Sequence, residues 1–262
     1  MTTSTIPDIL ARIVAAKQDT LPSLRARRAE LERLAETTRP DRRAFAAALR
    51  AHPPAIISEV KKASPSRGVL SADFRPVEIA RSYEAAGCAA ISVLTDEPFF
   101  QGSLADLIAV RAAVSVPVLR KDFTIDELHI LEAAAHGADA ILLIAALLDA
   151  KTMRRYREFA AQLGLAALVE VHTAQELDAV IDSGAEIIGV NNRDLHTFNV
   201  SLQVSLDLAP KIPAAATRVA ESGIHGPADV ALLRDAGYHA FLVGEHLMKS
   251  ANSRAALEAL RR

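Results

Sequence analysis

The sequence predicts an α/β protein built as a closed (β/α)8 TIM barrel with an N-terminal helical extension, on three observations. Eight short apolar runs recur along the chain, and most end in a charged or polar residue, as where Ala55-Ile56-Ile57-Ser58 runs into Glu59-Val60-Lys61. Apolar runs alternating with helical patterns mark a parallel sheet covered on both faces. The second observation is an internal repeat: Ala86-Gly87-Cys88-Ala89-Ala90-Ile91-Ser92-Val93 resembles the segments around Gly137, Gly184 and Gly237, which follow at intervals of 50, 47 and 53 residues. Each copy reads as a helix end, a glycine stop and a buried strand. The interval is that of two βα units, so these are expected to be the even-numbered strands. The third is size. The 262 residues, half of them apolar, match the roughly 250 residues typical of one such barrel. An open doubly wound sheet is the alternative, since it uses similar punctuation.

Residues 5–50 read as helical, because Ile6, Ile9, Leu10, Ile13 and Val14 form an apolar stripe at helical spacing. They are expected to pack on the barrel, with partner binding as the alternative. Strands are expected at 55–60, 89–94, 117–121, 139–144, 165–170, 186–190, 216–221 and 239–243. Helical patterns fill the gaps, among them 76–86, 148–163, 174–182 and 227–236, and Pro76 suits a first helical turn. No linker interrupts this order, so 1–262 reads as a single barrel domain of which 1–50 is the extension.

The formal net charge of −2 argues against a general attraction to nucleic acid. The lone cysteine, Cys88, cannot form an internal disulfide, fits a reducing compartment and is expected to be a small apolar filler. Residues 1–4 lack the basic and apolar regions of a signal peptide, and the longest apolar run, 140–148, is far short of the roughly 20 residues that span a bilayer. A cytoplasmic protein without membrane contact is expected. No Cys/His cluster has zinc-ligand spacing.

Active sites of such barrels lie at the C-terminal ends of the strands. Strand side chains alternate, so Ile57, Glu59 and Lys61 share one face. If that face points inward, the isoleucine fills the core and the acid–base pair crowns it. A structural ion pair is the alternative, and the loop that follows, 63–68 (ASPSRG), has the hydroxyls and basic group suited to an anion. In strand three Lys121 follows Leu119 on one face and Arg120 lies on the other. A lysine near other cations, or partly desolvated, has its charged form disfavoured and can donate a proton near neutral pH, and Lys61 and Lys121 are expected to act on each other in this way. A solvated strand-end charge is the alternative for Lys121. Phe123 reads as core packing or as a wall for an aromatic substrate, and Phe99 or Phe100, in the polar stretch 95–103, as a ring contact at the barrel mouth or as packing.

Glu170 terminates an otherwise apolar fifth strand, on the face of Leu168, and is expected to do chemical or ligand-contact work. His172 is expected to point the other way, as a helix-start or surface residue. Strand six ends in Asn191-Asn192-Arg193-Asp194, where Asn191 and Arg193 suit a carboxylate or hydroxyl ligand, or else form a polar turn. Strands seven and eight end in Glu221-Ser222-Gly223-Ile224 and Val243-Gly244-Glu245-His246. Phosphates in many barrels bind after these two strands, and glycines permit close backbone approach. The Glu245 carboxylate would repel a phosphate, so this residue is expected to contribute only its N–H, with the carboxylate turned away.

Taken together, these segments resemble indole-3-glycerol phosphate synthase, an enzyme family of tryptophan biosynthesis. The matching pieces are 58–66 (SEVKKASPS), 92–103 (SVLTDEPFFQGS), 119–123 (LRKDF), 169–173 (VEVHT), 189–195 (GVNNRDL), 221–224 (ESGI) and 243–248 (VGEHLM), which span the barrel in order, and the helical first 50 residues match the family's extension. The resemblance implies conversion of 1-(2-carboxyphenylamino)-1-deoxyribulose 5-phosphate to indole-3-glycerol phosphate, carbon dioxide and water, by a carboxy-lyase that needs no cofactor and no metal. It implies that Lys121 is the general acid, that Lys61 binds the substrate carboxylate and can donate a proton in dehydration, and that Glu170 is the acid–base group of later steps. Glu59 would support the lysines. Asn191 and Glu221 would orient the substrate and the charged network, and Arg193 would hold the carboxylate or support the site from behind. Ser64, Gly223, Gly244 and the N–H of Glu245 would hold the phosphate, with Ser222 flanking it. A monomer is expected, with contact to other tryptophan-pathway enzymes left open.

Three rival readings remain beside the resemblance. A phosphoribosyl anthranilate isomerase would share the phosphate loops but would want a cysteine or aspartate at strand ends, and Cys88 begins a strand. A Schiff-base aldolase would also place lysines on strand ends. A non-catalytic phosphometabolite sensor would not need the full set of ionisable groups.

Overall fold

The computed structural model describes residues 8–51, 53–65 and 67–262. Eight parallel strands form a closed barrel: β1 (Ala55–Val60), β2 (Ala90–Leu94), β3 (Val118–Lys121), β4 (Ala140–Ile144), β5 (Ala166–Val171), β6 (Ile187–Asn191), β7 (Thr217–Glu221) and β8 (Ala240–Val243). Each pairs with the next in sequence, and β8 closes on β1 from Ala55↔Ala240 to Ser58↔Val243. The strands therefore stand where the apolar runs predicted them. The repeat glycines Gly87, Gly137, Gly184 and Gly237 have φ of +83°, +84°, +78° and +95° and precede the even-numbered strands β2, β4, β6 and β8. A side chain at that conformation is strained, which is why glycine ends these helices.

Alternation sorts each strand into two rows. Ile57, Leu119, Leu142, Leu168, Val219 and Leu242 fill the barrel interior. Ile56, Ile91, Val118, Ile141, Val169 and Phe241 face outward under the helices. Both faces are thus dry, so the strands are apolar throughout rather than alternating with polar residues.

The extension runs the length of the barrel as α1 (Asp8–Ala26), α2 (Arg28–Thr38) and α3 (Phe45–Ala51). In α3, Phe45 and Leu49 plug the N-terminal end, packed with the small strand-start residues Ala55, Ala90, Ala140 and Ala240. α2 lies on helix Glu127–Ala135, where Thr38 Oγ1 donates to the Ala134 carbonyl at 2.8 Å. α1 reaches the opposite, C-terminal mouth. Its Leu10 and Ile13 are buried and Ile9 and Val14 half-buried, as the apolar stripe requires, whereas Ile6 lies outside the described residues.

Two features carried no periodic signal. Ala63–Ser64 and Gly68–Val69 form a two-stranded antiparallel ribbon after β1, and residues this short show no alternation. The stretch 95–103 contains the one-turn helix Glu97–Phe100, whose Phe99 N–H donates to Asp96 at 2.9 Å. No described helix is long and apolar enough to cross a membrane.

Candidate active site

The interior rows continue past the core into a ring of functional groups. Ile57 is followed by Glu59 and Lys61, Leu119 by Lys121 and Phe123, and Leu168 by Glu170 and His172. Ile187 leads to Gly189 and Asn191, Val219 to Glu221, and Leu242 to Gly244. A cavity of about 230 Å³ opens above them, roofed by Ile9, Leu10 and Ile13 of α1. The extension therefore covers the site as well as packing on the barrel.

Lys121 is the centre of this ring. Its Nζ donates to Glu170 Oε2 at 3.1 Å and to Glu221 Oε2 at 2.8 Å. These side chains are only 13, 4 and 2 % exposed, so the charges act in a poorly screened space. Burial by itself would favour the neutral amine. The carboxylates of Glu170, Glu221 and Glu59 outweigh it and raise the Lys121 pKa above the ordinary lysine value. This corrects the expectation that a neighbouring cation makes Lys121 acidic: its partners are anions, drawn from β5, β7 and β1.

The two carboxylates share one ammonium and diverge. Burial raises the Glu221 carboxyl, Lys121 opposes the rise and the Glu170 charge adds to it, so the net direction is upward. Glu170 is also buried, but Lys121 and His172 draw it below the usual carboxylate range. Glu221 Oε1 has no hydrogen-bond partner among the described residues. It occupies the space left by Gly189, where an added Cβ would stand 2.2 Å from that oxygen. Gly244 does the same for Glu59, whose Oε2 would be 2.1 Å from a Cβ there. Both glycines make room for carboxylates of this ring, a role separate from backbone freedom. Glu59 in turn accepts a short hydrogen bond from Lys61.

The remaining predicted residues fall around the same cavity. Asn191 Oδ1 accepts the Arg193 N–H at 3.1 Å, so the amide shapes the turn that presents Arg193. Arg193 Nη2 lies 3.5 Å from Glu245 Oε2. Arg67 and Lys249 reach the other oxygen of Glu245 at 3.2 and 2.6 Å. The carboxylate expected to repel an anion is thus neutralised by three cations rather than merely turned away. Ser64, Ser222, Gly223 and Gly244 also line the cavity, and Ser222 and Gly223 take φ of +64° and +78°. Phe123 and Phe100 line it with ring centroids 6.0 Å apart. Phe99 instead sits under the Arg12 guanidinium at 5.6 Å, toward α1. Cys88 is buried beneath a helix, and burial pushes its thiol up to about 12. Among the described residues, no three His, Cys, Asp or Glu side chains are grouped to hold a metal ion.

His172 contradicts its expected place. Two residues beyond Glu170, it shares that residue's face, and its Nε2 lies 3.2 Å from Glu170 Oε1. The alternation that placed Glu170 inward places His172 inward too, so the signal was present. Asn192 was missed for a better reason, since it belongs to the outward row. It is 1 % exposed and clamps the end of β7, its Nδ2 donating to the carbonyls of Glu221 at 3.0 Å and Ser222 at 3.1 Å. Also missed was a buried network behind Lys121. Lys17 of α1 meets Asp122 at 2.6 Å and Asp96 at 3.2 Å, and Arg120 joins Asp122 to Glu132 at 3.1 and 2.8 Å. It joins residues far apart in the chain, which no local pattern reveals.

The family model for indole-3-glycerol phosphate synthase matches residues 10–260. A protein of that name from Azoarcus sp. (strain BH72) is 49% identical over 260 residues, covering 97% of this chain and 98% of its own length. Its namesake from Aromatoleum aromaticum is 50% identical over 252 residues, covering 92% and 94%. The barrel is similar to that in the crystal structure of 3-hexulose-6-phosphate synthase, with a TM-score of 0.64 over 79% of this chain and 98% of that one, at 18% identity. That likeness concerns the fold. The sequence matches run through every strand end that carries the charged ring, and the chain belongs to the indole-3-glycerol phosphate synthase family.

Proposed function

We propose that this chain catalyses the decarboxylating, dehydrating ring closure of 1-(2-carboxyphenylamino)-1-deoxyribulose 5-phosphate to indole-3-glycerol phosphate, carbon dioxide and water. The observation that carries the reading is the Lys121 ammonium held between the Glu170 and Glu221 carboxylates, at 3.1 and 2.8 Å, on the C-terminal rim of the barrel. Family membership supports it.

In this reading the aromatic carbon bearing the carboxylate adds to the ketone carbon while Lys121 protonates the ketone oxygen. That oxygen is far more basic as a developing alkoxide than as a ketone. A lysine held fully protonated can therefore release its proton to it although its own pKa is raised. Loss of carbon dioxide returns the bond pair to the ring. The hydroxyl then leaves as water with a proton from Lys61, and Glu170, held as a carboxylate, removes the proton from the carbon next to nitrogen. Glu59 holds Lys61 in place through their hydrogen bond, and Glu221 and Asn191 orient the ring of groups. Arg193 and Lys61 take the substrate carboxylate. Ser64, Ser222, Gly223, Gly244 and the N–H of Glu245 hold the phosphate, with the Glu245 side chain neutralised by its cations. Phe123 and Phe100 flank the aromatic ring. The setting is the cytoplasm.

The same ammonium argues against a Schiff-base aldolase, since a protonated amine has no lone pair for a carbonyl; borohydride with substrate is expected to trap nothing. The direct test follows indole fluorescence after mixing the protein with the carboxyphenylamino-deoxyribulose phosphate. The chain contains no tryptophan, so the background is low. A general acid contributes about 10²–10⁴-fold, so Lys121→Ala is expected to lose at least about 10²-fold in turnover while its circular dichroism stays native. A wild-type protein that binds the substrate and yields no indole signal sinks the reading.

A further inference from the structure

Glu170 presents a different cation to each of its oxygens. Oε2 takes the Lys121 ammonium at 3.1 Å, and Oε1 lies 3.2 Å from Nε2 of His172. The other ring nitrogen, Nδ1, lies 3.2 Å from Glu176 Oε2, which also accepts the His172 backbone N–H at 2.7 Å. Glu176 is itself fixed by the start of helix Ala174–Asp182, because its own N–H donates to Thr173 Oγ1 at 3.2 Å. This is a capping box whose acid reaches one residue further back than usual. The imidazole is 8 % exposed and wedged between two acids.

We infer that His172 is a positioning residue for the proposed ring closure: held as an imidazolium by Glu176, it keeps the Glu170 carboxylate ionised and aimed at the reacting centre. The inference rests on that reading of the function. Burial opposes the charged imidazole, but Glu170 and Glu176 overcome it and raise its pKa to about 10. The charged groups bearing on the pair are Glu170 on its own strand, Glu176 on the following helix, and Lys121 and Glu221 from β3 and β7. Nε2 has no aligned hydrogen bond to Glu170 despite the 3.2 Å separation, so the contact is one of charge.

Two measurements on the full chain test this. The first follows the imidazole ¹⁵N shifts of His172 against pH, assigned by their loss in His172→Gln. The ring is expected to stay doubly protonated through pH 8 and to titrate at least about one pH unit lower in Glu176→Gln. A wild-type ring titrating near the ordinary value of about 6.5 overturns the inference whatever the activity. The second is kinetic. His172→Gln is expected to lose roughly tenfold or more in kcat, with KM within about twofold. The acid limb of its kcat/KM profile should move up by about one pH unit, since Glu170 loses a neighbouring cation. Glu176→Gln, nearer the surface, is expected to move the limb in the same direction by less. If both variants keep the wild-type limb and kcat, the inference is wrong. A wild-type protein inactive on the substrate overturns the ring-closure reading, and with it the catalytic part of the role of His172, even where the ¹⁵N titration holds.

Discussion

Lys17→Met separates the helix that roofs the cavity from the strand end that carries Lys121. The Lys17 ammonium lies 2.6 Å from Asp122 and 3.2 Å from Asp96, with the three side chains 11, 6 and 0 % exposed. Methionine keeps most of the aliphatic stem and removes the charge. Asp122 would retain Arg120 at 3.1 Å and the Thr95 hydroxyl at 2.6 Å. Among the described residues, Asp96 would retain only the Phe99 N–H at 2.9 Å. Removing one partner of a buried pair costs about 3–5 kcal/mol, and the surviving partners of Asp122 place this case at the low end, about 3 kcal/mol. At about 2–4 °C per kcal/mol for a chain of this size, Tm should fall by roughly 6–12 °C. The sign with pH follows from Asp122. Burial opposes its ionisation, but Arg120 and then Lys17 overcome it and lower its carboxyl to about 2. That contribution is present above the unfolded value of 3.8 and is lost as pH falls toward 2. The gap between wild type and variant should therefore be full at pH 7 and narrow below about pH 4. KM should rise too, because Ile9, Leu10 and Ile13 line the cavity. Arg27→Ala is the control, since the Arg27–Glu30 pair is 47 and 45 % exposed and should leave Tm in place. Thermal melts by circular dichroism at pH 7 and 3.5 decide the matter. A Lys17→Met Tm within about 2 °C of wild type at pH 7 would mean that α1 is held by its apolar face alone.

The other predictions concern the ring and one buried histidine. Gly189→Ala puts a Cβ 2.2 Å from Glu221 Oε1 and 3.1 Å from Leu168; it should push Glu221 off Lys121 and lower kcat, with an overpacking cost of about 1–3 kcal/mol in a urea melt. Gly226→Ala, which meets nothing within 4 Å, should change neither, and a fully active Gly189→Ala would remove the Glu221–Lys121 contact from the mechanism. Ser222→Ala is expected to raise KM more than it lowers kcat, because Ser222 flanks the proposed phosphate site; steady-state kinetics showing a selective loss of kcat would contradict that placement. His129 accepts the Ile125 N–H on Nδ1 and so offers Nε2–H to Thr20 Oγ1 at 3.2 Å. Burial, reinforced by Arg120, lowers its pKa to about 4 from 6.5. Its stabilising contribution is present above 6.5 and lost as pH falls through 4, so Tm should drop over that window and drop less in His129→Gln. Parallel pH–Tm curves for the two proteins would refute the assignment.

Much of this architecture is legible in the chain because it is written in short-range pattern. A strand buried on both faces must be apolar, so Ile56-Ile57 and Ile187-Ile188 announce themselves, and a helix that ends in a left-handed turn must end at residues such as Gly87 or Gly184. Alternation along one strand is likewise local. It carried Glu59, Lys121 and Glu170 to the inner rim from their apolar predecessors, and applied with equal strictness it carries Glu221 and His172 there as well.

What the pattern could not supply is which rim groups meet. Glu170 and Glu221 converge on Lys121 across gaps of 49 and 100 residues, and only the closure and register of the barrel bring them within reach. That convergence reverses the charge environment anticipated for Lys121: a pKa depends on every charge nearby in space, whereas the sequence displays only neighbours along the chain. The spaces beside Gly189 and Gly244 are of the same kind, being filled by carboxylates from the adjacent strands β7 and β1. So is the roof, since an apolar stripe on α1 demands burial somewhere and says nothing of where. Pattern with a period of two or four residues determined the elements, their order and the candidate residues. The charge state of the site and the covering of its mouth were decided by packing, because both arise from contacts between segments that the chain itself keeps far apart.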